Sequence, residues 1–298
     1  MARINRNLTK DRAEAWAIRA AIFALKLLPF AARKRVAGWL MQQSVRYIHA
    51  LRRRVDANLT YVLPGLAADR HAELAGQIGA SIGISMIEIF SAADFARSGA
   101  GFTPTGAGFS ALRSAQAQGK GAILVSGHFG QWEAVRVALR NQAIACAGVY
   151  RPNNNRFYDA DFHRALENFG KPIFPNTPAG TRALLRHVKE GGVAMLLLDQ
   201  HMKAMPMLSF FGKPARTATF AAELALKYQL PLIPSYGIRK QDLSIEVILE
   251  APIKPSDALT MTQSFNDSLE ARIRKYPGQY YWLHQRWRNI NAPSSLPK

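Results

Sequence analysis

Residues 122–133 read Ala122-Ile123-Leu124-Val125-Ser126-Gly127-His128-Phe129-Gly130-Gln131-Trp132-Glu133. The run Ala122–Ser126 is too short for a helix and too uniformly apolar for a strand with one wet face, so it reads as a strand buried on both sides. Gly127 and Gly130 punctuate a turn, and a helical pattern takes over at 132–141. A buried strand that runs through a glycine-bearing turn into a helix is the unit of an open α/β sheet. Such sheets place their chemistry just beyond the carboxyl ends of the strands.

Outward from this stretch the same grammar repeats. Strands are expected at 143–150, 172–174, 193–198, 232–239 and 243–250, with helices at 156–169, 178–190 and 217–229. The expected fold class is α/β, a mixed and largely parallel sheet flanked by helices. Between 98 and 110 the residues Gly99, Gly101, Pro104, Gly106 and Gly108 cluster in the nearest thing to a linker. They divide the chain into an N-terminal helical, membrane-associated region, 1–98, and an α/β core, 99–298.

Composition narrows the partners. The chain has 298 residues, 48% of them hydrophobic, and Lys+Arg 39 against Asp+Glu 20 give a formal charge of +19. That much apolar content excludes a disordered chain, and that much positive charge favours an anionic partner. The single cysteine, Cys146, excludes an intrachain disulfide and a cysteine-rich metal site.

The stretch 13–32 is apolar but interrupted by Glu14, Arg19 and Lys26, and no small-residue cleavage site follows, so it reads as neither a signal peptide nor a comfortable transmembrane span. Arg12, Arg19, Lys26 and Arg33 recur every seventh residue and return to within about 20° of one helical direction. Trp16, Ile18, Ile22, Phe23, Leu25, Leu27, Leu28 and Phe30 cover most of the rest. The expectation is a helix lying in a membrane interface, its basic stripe reaching for anionic headgroups, rather than a tilted spanning anchor with two charges in mid-bilayer. Pro29 should end or kink it, and a second helix is expected over about 33–58 with the clusters Arg33-Lys34-Arg35 and Arg52-Arg53-Arg54. These clusters carry no nucleic-acid-binding signature, so an anionic membrane surface, not a nucleic acid, is the expected partner.

His128, in the strand-to-helix turn, is the leading general base. A neutral imidazole takes the proton of an alcohol as its oxygen attacks an acyl carbon, and a carboxylate on the other ring nitrogen fixes the tautomer. Glu133 is one candidate carboxylate, although in an ideal helix five steps leave the two side chains about 140° apart. Asp199, at the end of the strand 193–198, is the other. Arg151 holds the corresponding place after the strand 143–150, where a guanidinium would hold Glu133 or a substrate phosphate. The helix amino end is expected to offer free N–H groups to developing negative charge. Taken singly, a strand-end Asp or Arg is commonly a turn or cap residue and a lone His a packing residue; three of complementary chemistry at one sheet edge are more specific. There is no Gly-x-Ser-x-Gly elbow, no dinucleotide or phosphate-loop glycine pattern and no metal-ligand spacing, so no covalent intermediate, cofactor or metal is expected.

The motifs taken in order resemble those of the lipid A late acyltransferases, the lauroyl and myristoyl enzymes within the lysophospholipid acyltransferase superfamily. His128-Phe129-Gly130-Gln131-Trp132-Glu133 is similar to the family's His-x4-Asp/Glu signature, Tyr150-Arg151-Pro152-Asn153-Asn154 to its Tyr-Arg-Pro block, and Asp199-Gln200 to its strand-end pair. Phe210-Phe211-Gly212-Lys213-Pro214-Ala215, leading to Thr217 and Thr219, resembles its Phe-Phe-Gly-x-Pro-Ala loop, and Trp282-Leu283-His284-Gln285-Arg286-Trp287-Arg288 its closing motif. The resemblance implies transfer of a fatty acyl group from acyl carrier protein to a hydroxyl of a lipid A precursor, at the cytoplasmic face of the inner membrane. It implies His128 as base assisted by Glu133 or Asp199, direct attack on the thioester, and substrate contacts from Arg151, Asn153, Gln200, Arg216, Thr217 and Arg286. Gln131, Trp132 and His201 depart from the commonest family spelling. Alternatives are another lipid acceptor (a lysophospholipid, an ornithine lipid or a phosphatidylinositol mannoside) or a non-catalytic basic membrane- or nucleic-acid-binding protein.

Overall fold

The computed structural model describes residues 8–202 and 204–288. Five helices come first: α1 (Leu8–Lys26), α2 (Phe30–Tyr47), α3 (His49–Val62), α4 (Ala68–Phe90) and α5 (Ala92–Ser98). Then follow β1 (Pro104–Thr105), α6 (Ala107–Ala117), β2 (Ala122–Ser126), α7 (Glu133–Asn141), β3 (Cys146–Tyr150), α8 (Arg156–Glu167), β4 (Ile173–Pro175), α9 (Pro178–Lys189) and β5 (Val193–Leu197). A hairpin, β6 (Met207–Phe210) and β7 (Lys213–Arg216), precedes α10 (Phe220–Tyr228), β8 (Leu232–Arg239), β9 (Ile245–Leu249), α11 (Ala258–Lys275) and a 3-10 turn, Pro277–Gln279.

The main sheet runs β1-β9-β8-β2-β5-β3-β4, parallel throughout except between β8 and β9. All five residues of β2 and all eight of β8 are buried, because helices cover both faces of these central strands. Polar caps set the starts of the flanking helices. The Asn155 side chain accepts from the N–H groups of Phe157 and Tyr158, and Thr177 accepts from Gly180 just before Pro178.

Three expectations are corrected. The helix expected over 33–58 is two helices, broken at Ile48, whose backbone is extended (φ −85°, ψ 105°) with no proline or glycine to mark it. The glycine-rich stretch is not a free linker. β1 lies in it, and Gly106 (φ +94°) passes so close to β9 that an added Cβ would sit 2.3 Å from the Leu249 carbonyl oxygen. Third, the basic stripe is divided between protein and solvent, with Lys26 exposed. The Arg12 guanidinium lies 5.3 Å from the Phe157 ring centroid, Arg19 donates to Asp161 at 2.7 Å, and Arg33, carried onto α2 by the break at Pro29, is buried against Ser91 and Asp94. Carboxylates on α8 and α5 capture Arg19 and Arg33. Trp16 and Phe23 on α1 and Leu27 just after it are left exposed, as are Trp39, Leu40 and Tyr47 on α2.

The N-terminal helices also build the core. Leu74, Ile78 and Ile82 of α4 pack in one cluster with Phe129, Phe265 and Tyr280. Among the described residues no single helix is long and apolar enough to cross a membrane. The pair α4 and α5 reaches the length together, but it is bent by 101°.

Candidate active site

His128 stands two residues past the end of β2, in the turn before α7. β2 and β5 pair in register with Ser126 opposite Leu197, which brings His128 beside Asp199, two residues past Leu197. The imidazole Nδ1 lies 2.8 Å from Asp199 Oδ1, and the His128 backbone N–H donates to Asp199 Oδ2 at 2.9 Å. Gly127 permits this approach, since an added Cβ would lie 2.7 Å from a Leu269 methyl and 3.3 Å from the Asp199 carboxyl carbon. Gly130 is required twice over: its φ is +58°, and a Cβ there would meet the Gly237 carbonyl oxygen at 2.0 Å.

Asp199 is buried, and His128 exposes 20% of its side chain. Burial alone pushes the imidazole pKa down, but the charge and hydrogen bond of Asp199, with the more distant charge of Glu133, outweigh it and the net movement is upward. For Asp199 burial pushes up, while the His128 ring and backbone N–H pull harder and leave the carboxyl at about 2. In the neutral ring the Asp199 contact holds the proton on Nδ1, so Nε2 presents a lone pair to the opening. There the Gln200 amide nitrogen lies 3.4 Å away. Trp132 and Tyr281 flank the imidazole at 5.1 and 6.0 Å between centroids, and a narrow crevice bordered by Ser81, Ile82 and Met86 of α4 leads to it.

Glu133 is not the partner of His128. It is buried at the start of α7, paired with Arg136 at 2.7 Å, and Arg136 in turn donates to the carbonyls of Cys146 and Gly170. Arg151 does not hold Glu133 either; it is exposed beyond β3. Asn153 closes its own loop by donating from both backbone and side chain to Asp159. Arg216, Thr217 and Arg286 meet one another instead of the imidazole. The Arg286 guanidinium donates to the Arg216 carbonyl and, at 2.6 Å, to the Thr217 hydroxyl, and Arg216 donates to the Met205 carbonyl. All three are buried and lock the end of β7 to the segment 280–288.

The expected free backbone donors are also corrected. The N–H of His128 goes to Asp199, that of Phe129 to Gly127, that of Gly130 to Gln279 and that of Gln131 to Gly237. The turn spends these amides on its own shape.

Residues that the sequence reading passed over hold the turn in place. From α4, Ser85 donates to the Gly130 carbonyl, and Glu88, buried against Arg239, accepts from the Gln131 side chain at 2.7 Å. From the segment after α11, the Tyr281 N–H donates to the His128 carbonyl, and His284 Nε2 accepts from the His201 N–H at 3.0 Å. Burial keeps that second imidazole neutral, down to about 4, against the opposing charge of Asp199. The one signal was Glu88 itself, a lone charge in the apolar run Ile82–Phe90.

Glu133→Gln leaves the Arg136 charge buried without its carboxylate. The expected result is a loss of about 3 kcal/mol in unfolding free energy by denaturant titration. The acid limb of the activity profile should move far less than for a change at Asp199.

Residues 4–289 match the profile of a family described as bacterial lipid A biosynthesis acyltransferase. The chain is 25% identical over 283 residues to a lipid A biosynthesis lauroyltransferase of Escherichia coli strain K12, covering 91% of this chain and 89% of that protein. A 1-acyl-sn-glycerophosphate acyltransferase from Thermotoga maritima aligns over 85% of this chain and 99% of its own, with a TM-score of 0.38 and 12% identity.

Proposed function

The chain belongs to the bacterial lipid A biosynthesis acyltransferase family, and from that premise we propose that it carries a fatty acyl group from acyl carrier protein to a hydroxyl of a lipid A precursor, with His128 as the general base. The observation that carries the chemistry is the His128–Asp199 pair, a partly open imidazole with Nδ1 held by a buried carboxylate and Nε2 facing a crevice. Nε2 takes the proton of the acceptor hydroxyl as its oxygen attacks the thioester carbon. The C–S bond then breaks, and the imidazolium returns the proton to the departing thiolate. Asp199 stabilises the imidazolium in between. With the turn's own amides engaged, the Gln200 amide is the donor placed to meet the developing oxyanion. Incubating the purified chain with labelled acyl carrier protein and a panel of acceptors tests this directly. Ester-linked product on a lipid A precursor is the expected result. Product only on a lysophospholipid, an ornithine lipid or a phosphatidylinositol mannoside would move the acceptor, and no product on any lipid would remove the reading.

The membrane partner follows from a different face than the basic stripe suggested. Trp16 and Phe23 share one side of α1 at a spacing of seven, both exposed, Leu27 is exposed just past the helix end, and Trp39 and Tyr47 continue an aromatic exposure on α2. Aromatic side chains of this kind suit a bilayer interface, with the +19 charge drawing the chain to anionic lipid at the cytoplasmic leaflet. Changing Trp16 and Phe23 to Ser should weaken partition into anionic vesicles about tenfold or more for each, since a large apolar side chain is worth about 1.5–3 kcal/mol on burial. Unchanged sedimentation with vesicles would discard this face.

A further inference from the structure

Resting on the acyl-transfer reading, we propose that the groove along the outer face of α3 is a subsite for a phosphate group carried by the acceptor's sugar headgroup. The residues that line it, among them Arg52, Arg53, Asp56, Thr60 and Tyr61, recur at three- and four-residue intervals along a single stripe of the helix. Lys213, at the start of β7, closes the opposite side. The cavity is open to solvent and about 620 Å³ in volume, within the usual range for small-molecule sites. Its breadth suits a sugar phosphate better than an extended thioester arm.

The charges there are unevenly matched. Arg52 spends its guanidinium on both oxygens of Asp56, at 2.7 and 2.8 Å. Arg53 and Lys213 have no carboxylate partner among the described residues, and the Lys213 ammonium lies 5.2 Å from the Tyr61 ring centroid. Tyr61 is itself braced by Trp287, 6.0 Å away. Two unneutralised cations facing one cavity beside an aromatic wall and a threonine hydroxyl fit a phosphorylated sugar.

The helix that carries the groove also holds the segment beside the reacting imidazole. Arg54 points almost the same way as Tyr61, seven residues and about 10 Å further along α3. Burial pushes the Tyr281 hydroxyl upward and the Arg54 guanidinium opposes it, so that charge reaches the ring that flanks His128. One turn on from Arg54, Asn58 donates to the carbonyls of Trp282 and His284. A headgroup phosphate in the groove would therefore sit on the same helix whose Asn58 braces the Trp282–His284 segment next to the site.

The test compares the full chain, Arg53→Gln/Lys213→Gln, and a charge-matched control, Arg182→Gln/Lys189→Gln on α9. Each is titrated with N-acetylglucosamine 1-phosphate, followed by phosphorus NMR. The expected result is binding by the wild type and the control and at least tenfold weaker binding by the groove variant. In the transfer assay the variant's KM for a phosphorylated lipid acceptor should rise by a similar factor while its KM for the acyl donor holds. Equal binding by all three proteins, no binding by the wild type, or a rise in donor KM instead would overturn the subsite. Should the wild type transfer acyl groups to no lipid, the acyl-transfer reading falls, and the sugar-phosphate titration alone decides the groove.

Discussion

His128→Ala is expected to lower kcat/KM for acyl transfer by about 10²–10⁴-fold, the span over which a positioned base accelerates proton transfer. The variant should still fold, because the turn is held through backbone groups and glycines that the substitution leaves in place: the Tyr281 and Gly130 N–H bonds and the Ser85 contact with the Gly130 carbonyl. Circular dichroism and vesicle binding are the controls. A His128→Asn partner variant keeps an amide beside Asp199 and separates loss of the base from loss of the carboxylate's neighbour. Transfer at the wild-type rate by either variant would remove the general-base assignment.

Asp199→Asn should cost about 10²–10⁴-fold as well, and it carries a second signature. A base works in its neutral form, so activity in the wild type rises with pH through the His128 pKa, which lies above its ordinary value chiefly because Asp199 opposes the effect of burial. Without that negative charge the pKa falls, and the acid limb of kcat/KM against pH should move to lower pH even as the plateau drops. A lowered plateau with an unmoved acid limb would mean that Asp199 acts only as a structural anchor.

The strand-and-turn core was readable because its signals are local. Ala122–Ser126 is apolar without alternation, Gly127 and Gly130 are where the backbone needs glycine, and His128 and Asp199 each lie just past the end of a buried strand. The choice between Glu133 and Asp199 was not readable, because it depends on β2 and β5 being neighbours in register, and strand order is a property of the whole sheet. The hairpin of β6 and β7 stayed hidden behind its turn, where Phe211 takes a φ of +57° beside Gly212 at +65°, a conformation that phenylalanine rarely signals. Arg286 and Thr217 looked like substrate contacts because motif order says nothing about which way a side chain points. Burial resolved them into a brace. Two of the four heptad-spaced basic residues at the amino terminus, Arg19 and Arg33, turn to carboxylates for a related reason. Periodicity finds a face, but the acids of α5 and α8 decide what it faces.

The clamp on the His128 turn reaches far along the polypeptide, with Asn58 bonded to the Trp282 carbonyl 224 residues away. At about 5–20 residues per second, a ribosome needs roughly 10–45 s to travel that span. Throughout it the first helices have already been made and the imidazole turn lacks its final support. On the proposed reading, the exposed aromatic side chains of the first helices are thus on hand for lipid well before the His128–Asp199 pair is braced.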